Sequence, residues 1–542
     1  MAAIRITPFL GMMPSSDRTM LPSNFSQIAE NCRLTSGTLD AYRAPKLVYT
    51  PLNTAIKSIY RFEQASSDET LYWLTFTNVV DVVKGAIAGD DQERTYYTGD
   101  GYPKVTDITT AVGAAPYPTI AFRLGTPAPT TALLSTLVPQ VPASTVVAET
   151  FVYTYTYVTL WGEESAPAPA SIGVDVRPGD TVNLSGIAVA PSGNYNMGVG
   201  AKKRIYRTAT GTVGASYLFV AEIPVAQLTY TDTKLTSELG EALPTLNSAL
   251  LPDAAKGLTN MANGIMAAHL DYDVYFCEAY KPYSWPTANV QTVDYPVVGL
   301  GAFGSSLVVL TTGNPYVMTG SDPQSISVEK LAMPYSCVSK RSVCNAFGDV
   351  IYASPDGLVS IGQNGTKVLT ETVMTRLEWQ EYNPKSMMCA VWDDRIFIFY
   401  DTGAKRGCLA LDNKQGLVES AVYATAAYND LVTGNLYLAV DDKIVKWNEG
   451  EYLTYTWRSK VFTHPYFVNF SWGQVLADDY PVNIRIYANL NPEPVTEISV
   501  QSWTPFRLPS GFKAKYWEVE LVGSVSVNEV IIAEAIEELK SA

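Results

Sequence analysis

Apolar and polar positions alternate along most of this chain, in runs of about four to eight residues closed by Gly, Pro, Asn or Asp. Between 255 and 450 the runs repeat one theme of strand, polar turn and strand. It appears in Gly264-Ile-Met-Ala-Ala-His-Leu-Asp-Tyr-Asp-Val-Tyr-Phe-Cys277 and again in Val297-Val-Gly-Leu-Gly-Ala-Phe-Gly-Ser-Ser-Leu-Val-Val-Leu310. It recurs at Val343 to Ser354, Met388 to Tyr400 and Ala426 to Val440. A second turn and strand follow, as in Pro355-Asp-Gly-Leu-Val-Ser-Ile361 and Asp441-Asp-Lys-Ile-Val-Lys-Trp447. A repeat of roughly 40 to 45 residues is the blade period of a β-propeller. Three strands expected at Ile56 to Phe62, Thr70 to Thr77 and Val79 to Val83 place a first part of the propeller at 51–130.

A different pattern interrupts the array at 140–248. Phe151-Val-Tyr-Thr-Tyr-Thr-Tyr-Val-Thr-Leu160 is dominated by aromatic and β-branched residues. Turn signals recur about every ten residues, at Arg177-Pro-Gly-Asp180 and Pro191-Ser-Gly-Asn194, which fits an inserted immunoglobulin- or fibronectin-like β-sandwich. The Pro-, Ala- and Thr-rich stretch at 126–145 suits an extended linker. Residues 1–50 read as an extended, turn-rich N-terminal segment with one short helix over Ser23 to Glu30, capped by Ser23 or Asn24. A second short helix is expected over Glu371 to Glu381. Residues 451–542 read as a C-terminal β-domain, with clean alternation in Asn483-Ile-Arg-Ile-Tyr487. The fold expected is all-β: a β-propeller-like core at 51–130 and 255–450, an inserted sandwich and a C-terminal β-domain.

Composition narrows the function. The 53 acidic residues outweigh 38 basic ones, for a net charge of −15. That argues against a surface built to grip nucleic acid, though not against one that DNA slides past. The six cysteines contain no C-x-x-C pair and read as free thiols in a reducing compartment. Met1-Ala-Ala-Ile-Arg-Ile-Thr7 lacks the pattern of a signal peptide. No apolar run is long enough for a membrane-spanning helix, so no stable membrane insertion is expected.

Candidate chemistry is sparse. His269 and His464 are the only two histidines, which excludes a three-His zinc site, and no G-x-S-x-G elbow is present. His269 lies in an apolar strand and reads as packed core. His464, before Pro465, reads as a surface turn. Gly193-Asn-Tyr-Asn-Met-Gly-Val-Gly-Ala-Lys-Lys203 fails the phosphate-loop spacing and reads as a long sandwich loop. Lys202, Lys203 and Arg204 read as its solvated flank. The pairs Asp90-Asp91, Asp393-Asp394 and Asp441-Asp442 fit hairpin turns better than a glycosidase dyad. The tryptophans, Trp161, Trp285, Trp379, Trp392, Trp447, Trp457, Trp472 and Trp503 among them, suit core or interface packing. No catalytic, cofactor-binding or metal residue is assigned, and no cofactor is expected.

Three stretches carry a resemblance. They are Phe9-Leu-Gly-Met-Met-Pro14 through Ala29-Glu-Asn-Cys-Arg-Leu-Thr-Ser-Gly37, then Tyr157-Val-Thr-Leu-Trp-Gly-Glu-Glu-Ser165 with Arg204-Ile-Tyr-Arg207 and Gly240-Glu-Ala-Leu-Pro-Thr245, and Val274-Tyr-Phe-Cys-Glu-Ala-Tyr-Lys-Pro-Tyr-Ser-Trp-Pro286. Together they resemble the tail nozzle (tail tubular protein B) family of short-tailed double-stranded DNA bacteriophages. The resemblance implies a structural, non-enzymatic subunit of a hexameric ring in the phage tail of the virion, assembled in the host bacterial cytoplasm. It implies adaptor and portal proteins above the ring, tail fibres or spikes docked to it, and double-stranded DNA passing through its lumen during ejection without sequence-specific binding. Two rivals are a tail-tip or hub protein docking receptor-binding fibres, and a carbohydrate-active propeller enzyme with an accessory sandwich. The enzyme would carry a carboxylate cluster in the propeller channel, and the conduit an acidic lumen between subunits.

Overall fold

Seven antiparallel units succeed one another around a ring in the computed structural model, which describes residues 3–86, 90–211, 214–412 and 415–540. The chain is a β-propeller. Blade one is the hairpin Ser58–Arg61 and Trp73–Phe76, widened by a bridge from Leu74 to Tyr117. Blade two is Asp81–Lys84, Thr95–Thr98, Lys104–Thr106 and Phe122–Arg123. Blade three is Lys256–Asn260, Met266–Leu270, Asp273–Phe276 and Gln291–Thr292. Blade four is Val297–Phe303, Ser306–Thr311, Tyr316–Thr319 and Ser327–Lys330. Blade five is Cys344–Ala346, Asp349–Ala353, Leu358–Gly362 and Gly365–Val368. Blade six is Met388–Trp392, Arg395–Asp401, Arg406–Asp412 and Gly416–Ser420. Blade seven takes Ala426–Asn429, Leu436–Val440 and Lys443–Lys446 from the array and its fourth strand, Lys46–Tyr49, from near the N-terminus.

Local chemistry explains the hairpins. Asp393 and Asp394 have φ of 52° and 57°, and Asp441 and Asp442 of 48° and 58°. Two successive left-handed residues match the twist of a two-residue hairpin, and Asp tolerates that conformation. These two acidic pairs are therefore turn residues, as their setting suggested. Gly301 shows how closely blades pack: a Cβ there would stand 2.5 Å from the Val350 side chain of blade five.

The N-terminal 50 residues are not a separate segment. Ala3–Ile6 pairs with Val527–Ala533. Ser26–Glu30, expected as a helix, is a strand, bonded on one edge to Tyr455–Ser459 and on the other to blade six at Glu30 and Glu419. A bulge near Gln27 interrupts its pairing, and Ser26 and Ala29 are its buried residues; the sheet edges waiting for it outweigh the local capping signal. One sheet consequently runs from Met388–Trp392 of blade six through Ser26–Glu30 into Tyr455–Ser459, Ala514–Gly523, Val482–Ala488 and Thr496–Val500. A second sheet, of Ala3–Ile6, Val527–Ala533, Trp472–Ala477 and Phe506–Arg507, completes the C-terminal sandwich. Gly11 and Met12 bond to Gln415 and Leu417 of blade six at 2.7 and 2.8 Å. A Cβ on Gly11 would stand 2.5 Å from the Leu417 carbonyl oxygen, so only glycine fits. Phe9 meets Trp457 edge-on at 5.0 Å, and the Trp457 indole donates to the Leu10 carbonyl at 2.9 Å. The buried side chains of this region form one core continuous with blades five to seven.

The inserted sandwich begins earlier than 140. Leu134–Val138, inside the expected linker, pairs with Thr181–Ser185, which pairs with Tyr230–Asp232. Pairing along the whole of Thr181–Ser185 makes Leu-Ser-Thr-Leu-Val a strand despite the flanking prolines. The facing sheet is Tyr153–Val158, Lys202–Gly211 and Gly214–Pro224. Tyr153, Tyr155 and Tyr157 fill the core with Val182, Leu184, Ile205 and Val220. Buried Arg207 pairs with Asp232 and lies 4.0 Å from the Phe151 ring centroid. The helix expected at 371–381 is confined to Arg376–Glu381, with Thr375 and Glu378 forming a capping box.

The sandwich meets the propeller at a second apolar joint. Trp161 stands edge-on to Phe122 at 5.3 Å, beside a cluster of Tyr96, Leu124, Cys277 and Trp285. Glu163 is buried there, and its Oε1 has no partner among the described residues. Burial raises its pKa from 4.5 to about 7, opposed by the charge of Arg94.

Two outcomes follow. Trp457→Ala removes a fully buried indole and a hydrogen bond and should cost about 3–5 kcal/mol, read as a lowered denaturation midpoint. For Glu163 the folded state holds its proton more tightly than the unfolded state. Its cost is absent below 4.5, grows as pH rises and is complete above about 7, where it amounts to about 3 kcal/mol. Glu163→Gln should flatten the fall in stability across that window, measured by denaturation at successive pH values.

Candidate functional site at the mouth of the propeller channel

The innermost strand of each blade faces the propeller axis, and side chains there also join neighbouring blades. Three asparagines repeat one device. Asn260 donates to the Lys84 carbonyl at 2.8 Å, Asn345 to that of Ala302 at 3.2 Å and Asn429 to that of Val391 at 2.9 Å. Each reaches from its own innermost strand to that of the preceding blade. Ser58 accepts from the Val80 amide at 2.9 Å between blades one and two. Blades seven and one close through Tyr428, whose hydroxyl donates to Glu63. Around it Trp73, Tyr60 and Tyr437 make edge contacts with ring centroids 5.0–5.8 Å apart.

The three asparagines, Tyr60, Glu63 and Tyr428 line a cavity of about 660 Å³. Six innermost strands contribute, through Tyr60, Val82 to Lys84, Leu258 to Asn260, Leu300 and Gly301, Cys344 and Asn345, and Tyr428 and Asn429. Its charged lining residues are Glu63, Lys84 and Glu93. Glu93 is 2% exposed and sits in the left-handed region with φ of 47°, uncommon for a long side chain. Its Oε1 accepts from Lys84 Nζ at 3.2 Å, whereas its Oε2 has no partner among the described residues. Glu63 has its pKa raised, first by burial and then by the nearby Asp430 and Glu93, while Tyr428 pulls it down. The Asp430 carboxylate is occupied by the Val432 and Thr433 amides at 2.9 and 3.0 Å. Leu431 and Val432 stand exposed at the rim. No group of three or more His, Cys, Asp or Glu suited to a metal occurs among the described residues.

The structure disperses the residues singled out in the sequence. His269 is packed core, its pKa pushed down to about 3 by burial and then by Lys340 and Lys256. His464 is not in a turn: it lies in the strand Phe462–Val468, half-buried, 5.4 Å from Phe470. The Lys202, Lys203 and Arg204 cluster is not a solvated flank but part of a long strand. Lys202 pairs with Glu222, Arg204 pairs with Glu164 and Glu222 at 2.9 Å, and Lys203 is buried and donates to the Gln227 carbonyl at 3.0 Å. Burial pushes the Lys203 pKa down to about 8. Asp90 bonds the amide and guanidinium of Arg94 at 3.2 Å each. Trp285, Trp379, Trp447 and Trp457 are core, whereas Trp503 is exposed. Glu63, Glu93 and Tyr428 carried no motif. Positions more than 300 residues apart meet here only because the ring closes.

No family model matches this sequence, and no curated protein does. Solved structures resemble it distantly. A virginiamycin B lyase from Staphylococcus aureus aligns over 58% of this chain and 99% of its own, at 11% identity and a TM-score of 0.26. A quinonprotein alcohol dehydrogenase-like protein from Bacteroides thetaiotaomicron aligns over 56% and 78%, at 12% and 0.27. AztD from Citrobacter koseri aligns over 70% and 100%, at 12% and 0.26. None of the three is a tail nozzle protein. The propeller is read from the strand pairing described above.

Removing the Tyr428 hydroxyl leaves Glu63 without that donor and loosens the closing seam. Tyr428→Phe should lower stability by about 1–3 kcal/mol, measured by chemical denaturation, with blade secondary structure retained by circular dichroism.

Proposed function

We propose that this protein is a structural subunit of a phage tail nozzle, a hexameric ring that conducts and helps retain double-stranded DNA and supports fibre attachment. One observation carries the reading. Each of the three sequence stretches that resemble nozzle proteins contributes residues to a joint between units. Phe9 to Met12 clamps the C-terminal sandwich to blade six. Trp161 to Ser165 and Trp285 form the joint between inserted sandwich and propeller, where Thr245 donates to the Ser165 carbonyl at 2.7 Å. Part of the likeness therefore concerns how units are fastened together, which is what a scaffold needs. The exposed apolar side chains Val141, Val147, Ile172 and Val199 on the inserted sandwich, and Tyr466, Phe467 and Trp503 on the C-terminal one, suit contacts within an assembly. A net charge of −15 suits a lumen that DNA phosphates pass without adhering. No helix among the described residues is long and apolar enough to cross a membrane.

A propeller enzyme acting on carbohydrate is the second reading, favoured by Glu63 and Glu93 in the channel. Against it, Glu63 accepts from Tyr428 and one Glu93 oxygen from Lys84, so neither carboxylate is wholly free.

Native mass measurement of the full chain, followed by negative-stain imaging, separates the two. A hollow ring of six subunits inert towards polysaccharides is expected. A monomer that cleaves polysaccharide, and loses that activity in Glu63→Gln, would overturn the nozzle reading.

A further inference from the structure

We infer that the mouth of the propeller channel is a binding site for a short aliphatic polyamine. This inference stands apart from the nozzle reading, since it concerns the axis of one propeller and not a lumen between subunits.

The argument starts from hydrogen bonds left unmade. Glu93 is almost wholly buried, lines the cavity, and has a carboxylate oxygen without a partner among the described residues. Asn260, on the neighbouring blade, is half-buried and has a like gap: its amide nitrogen is bonded to the Lys84 carbonyl, while its Oδ1 is buried and unpartnered. Both orphaned atoms are acceptors. A buried acceptor left unpaired is costly, so a ligand that donates to both, once each side chain turns its oxygen to the cavity, would recover it. An anion is excluded, because it would meet two carboxylates. A divalent metal fits poorly, since the described residues offer no cluster of three ligands and Lys84 already holds the other Glu93 oxygen.

The remaining lining specifies an amine with an apolar chain. Two carboxylates against one ammonium leave the cavity net negative. Tyr60 and Tyr428 line it with aromatic rings, a residue type that attracts cations. Leu431 and Val432, both exposed at the rim, offer methyl groups to the methylene segments between amines. A cavity of about 660 Å³ accommodates a molecule of that length. Lys84 competes for Glu93 and sets an upper limit on affinity.

Isothermal titration of spermidine into the full-length protein tests this. Saturable binding with one site per chain is expected. Affinity should fall about tenfold or more in Glu93→Gln and rise in Lys84→Met, which removes the competing ammonium. The two opposite shifts matter because an acidic protein attracts polyamines everywhere on its surface, and because Glu93→Gln alone could weaken the fold. Thermal melts of both variants check their folding. Binding that is absent, non-saturable or equal in wild type and Lys84→Met would overturn the inference.

Discussion

A strand in a sheet must satisfy both of its edges, and the short run Ser26–Glu30 does so between two different units. Blade six ends in an open edge at Gly416–Ser420, and the C-terminal sandwich begins with another at Tyr455–Ser459. Left open, either would be a template for pairing with a foreign chain. That five-residue strand pairs along Tyr455–Ser459 and meets blade six at Glu419, where Gly11 and Met12 cover the rest of the edge, and so fuses blade and sandwich into a continuous sheet. The neighbouring N-terminal residues follow the same logic. Ala3–Ile6 covers the second sheet of the sandwich, and Lys46–Tyr49 completes blade seven. Residues near the beginning of the chain thus hold together elements from near its end, so the last blade and the C-terminal sandwich cannot be completed by local contacts. A fold so rich in distant pairings is expected to form slowly.

Much of this was legible in the sequence because period-two alternation depends only on which face of a strand is buried. The hairpins of blades three to seven stand where alternation put them, and Asp393-Asp394 and Asp441-Asp442 are the turns their chemistry suits. What was not legible depended on a distant partner. Ser23 and Asn24 read as helix caps, but Ser26–Glu30 met two open edges. Leu134–Val138 shows no apolar–polar alternation, and the prolines and threonines around it read as linker until Thr181–Ser185 is placed beside it. Lys203 looked like a solvated charge because burial by a facing hairpin leaves no local mark. The same holds for the channel, since Glu63, Glu93 and Tyr428 are isolated residues in unrelated stretches.

Polar residues in this molecule divide by what burial asks of them. At the sandwich core, Arg207 and Asp232 are buried as a pair, with Tyr153 donating to the same carboxylate at 2.9 Å, so neither charge stands alone. At the sandwich–propeller joint, Glu163 keeps its proton to near neutral pH instead. The C-terminal sandwich carries its charges on a sheet face, where Arg458 meets Glu518 and Arg485 meets Glu520, both at 2.8 Å. These are three distinct answers to the cost of removing a charge from water.

The channel mouth departs from all three, because Glu93 is buried with one oxygen satisfied and one not. Its location gives that imbalance a consequence. Glu63 and Tyr428 belong to the seam between blades one and seven, and Lys84, Glu93 and Asn260 to the boundary between blades two and three. A ligand that engages both boundaries binds only the closed ring, so occupancy stabilises closure by mass action. The weakest geometric feature of the propeller is its first blade, built from two strands and one bridge where others have four. Ligand binding at the mouth would therefore reinforce the ring at the seam beside the blade with the fewest backbone bonds of its own and at the boundary beyond that blade's other neighbour.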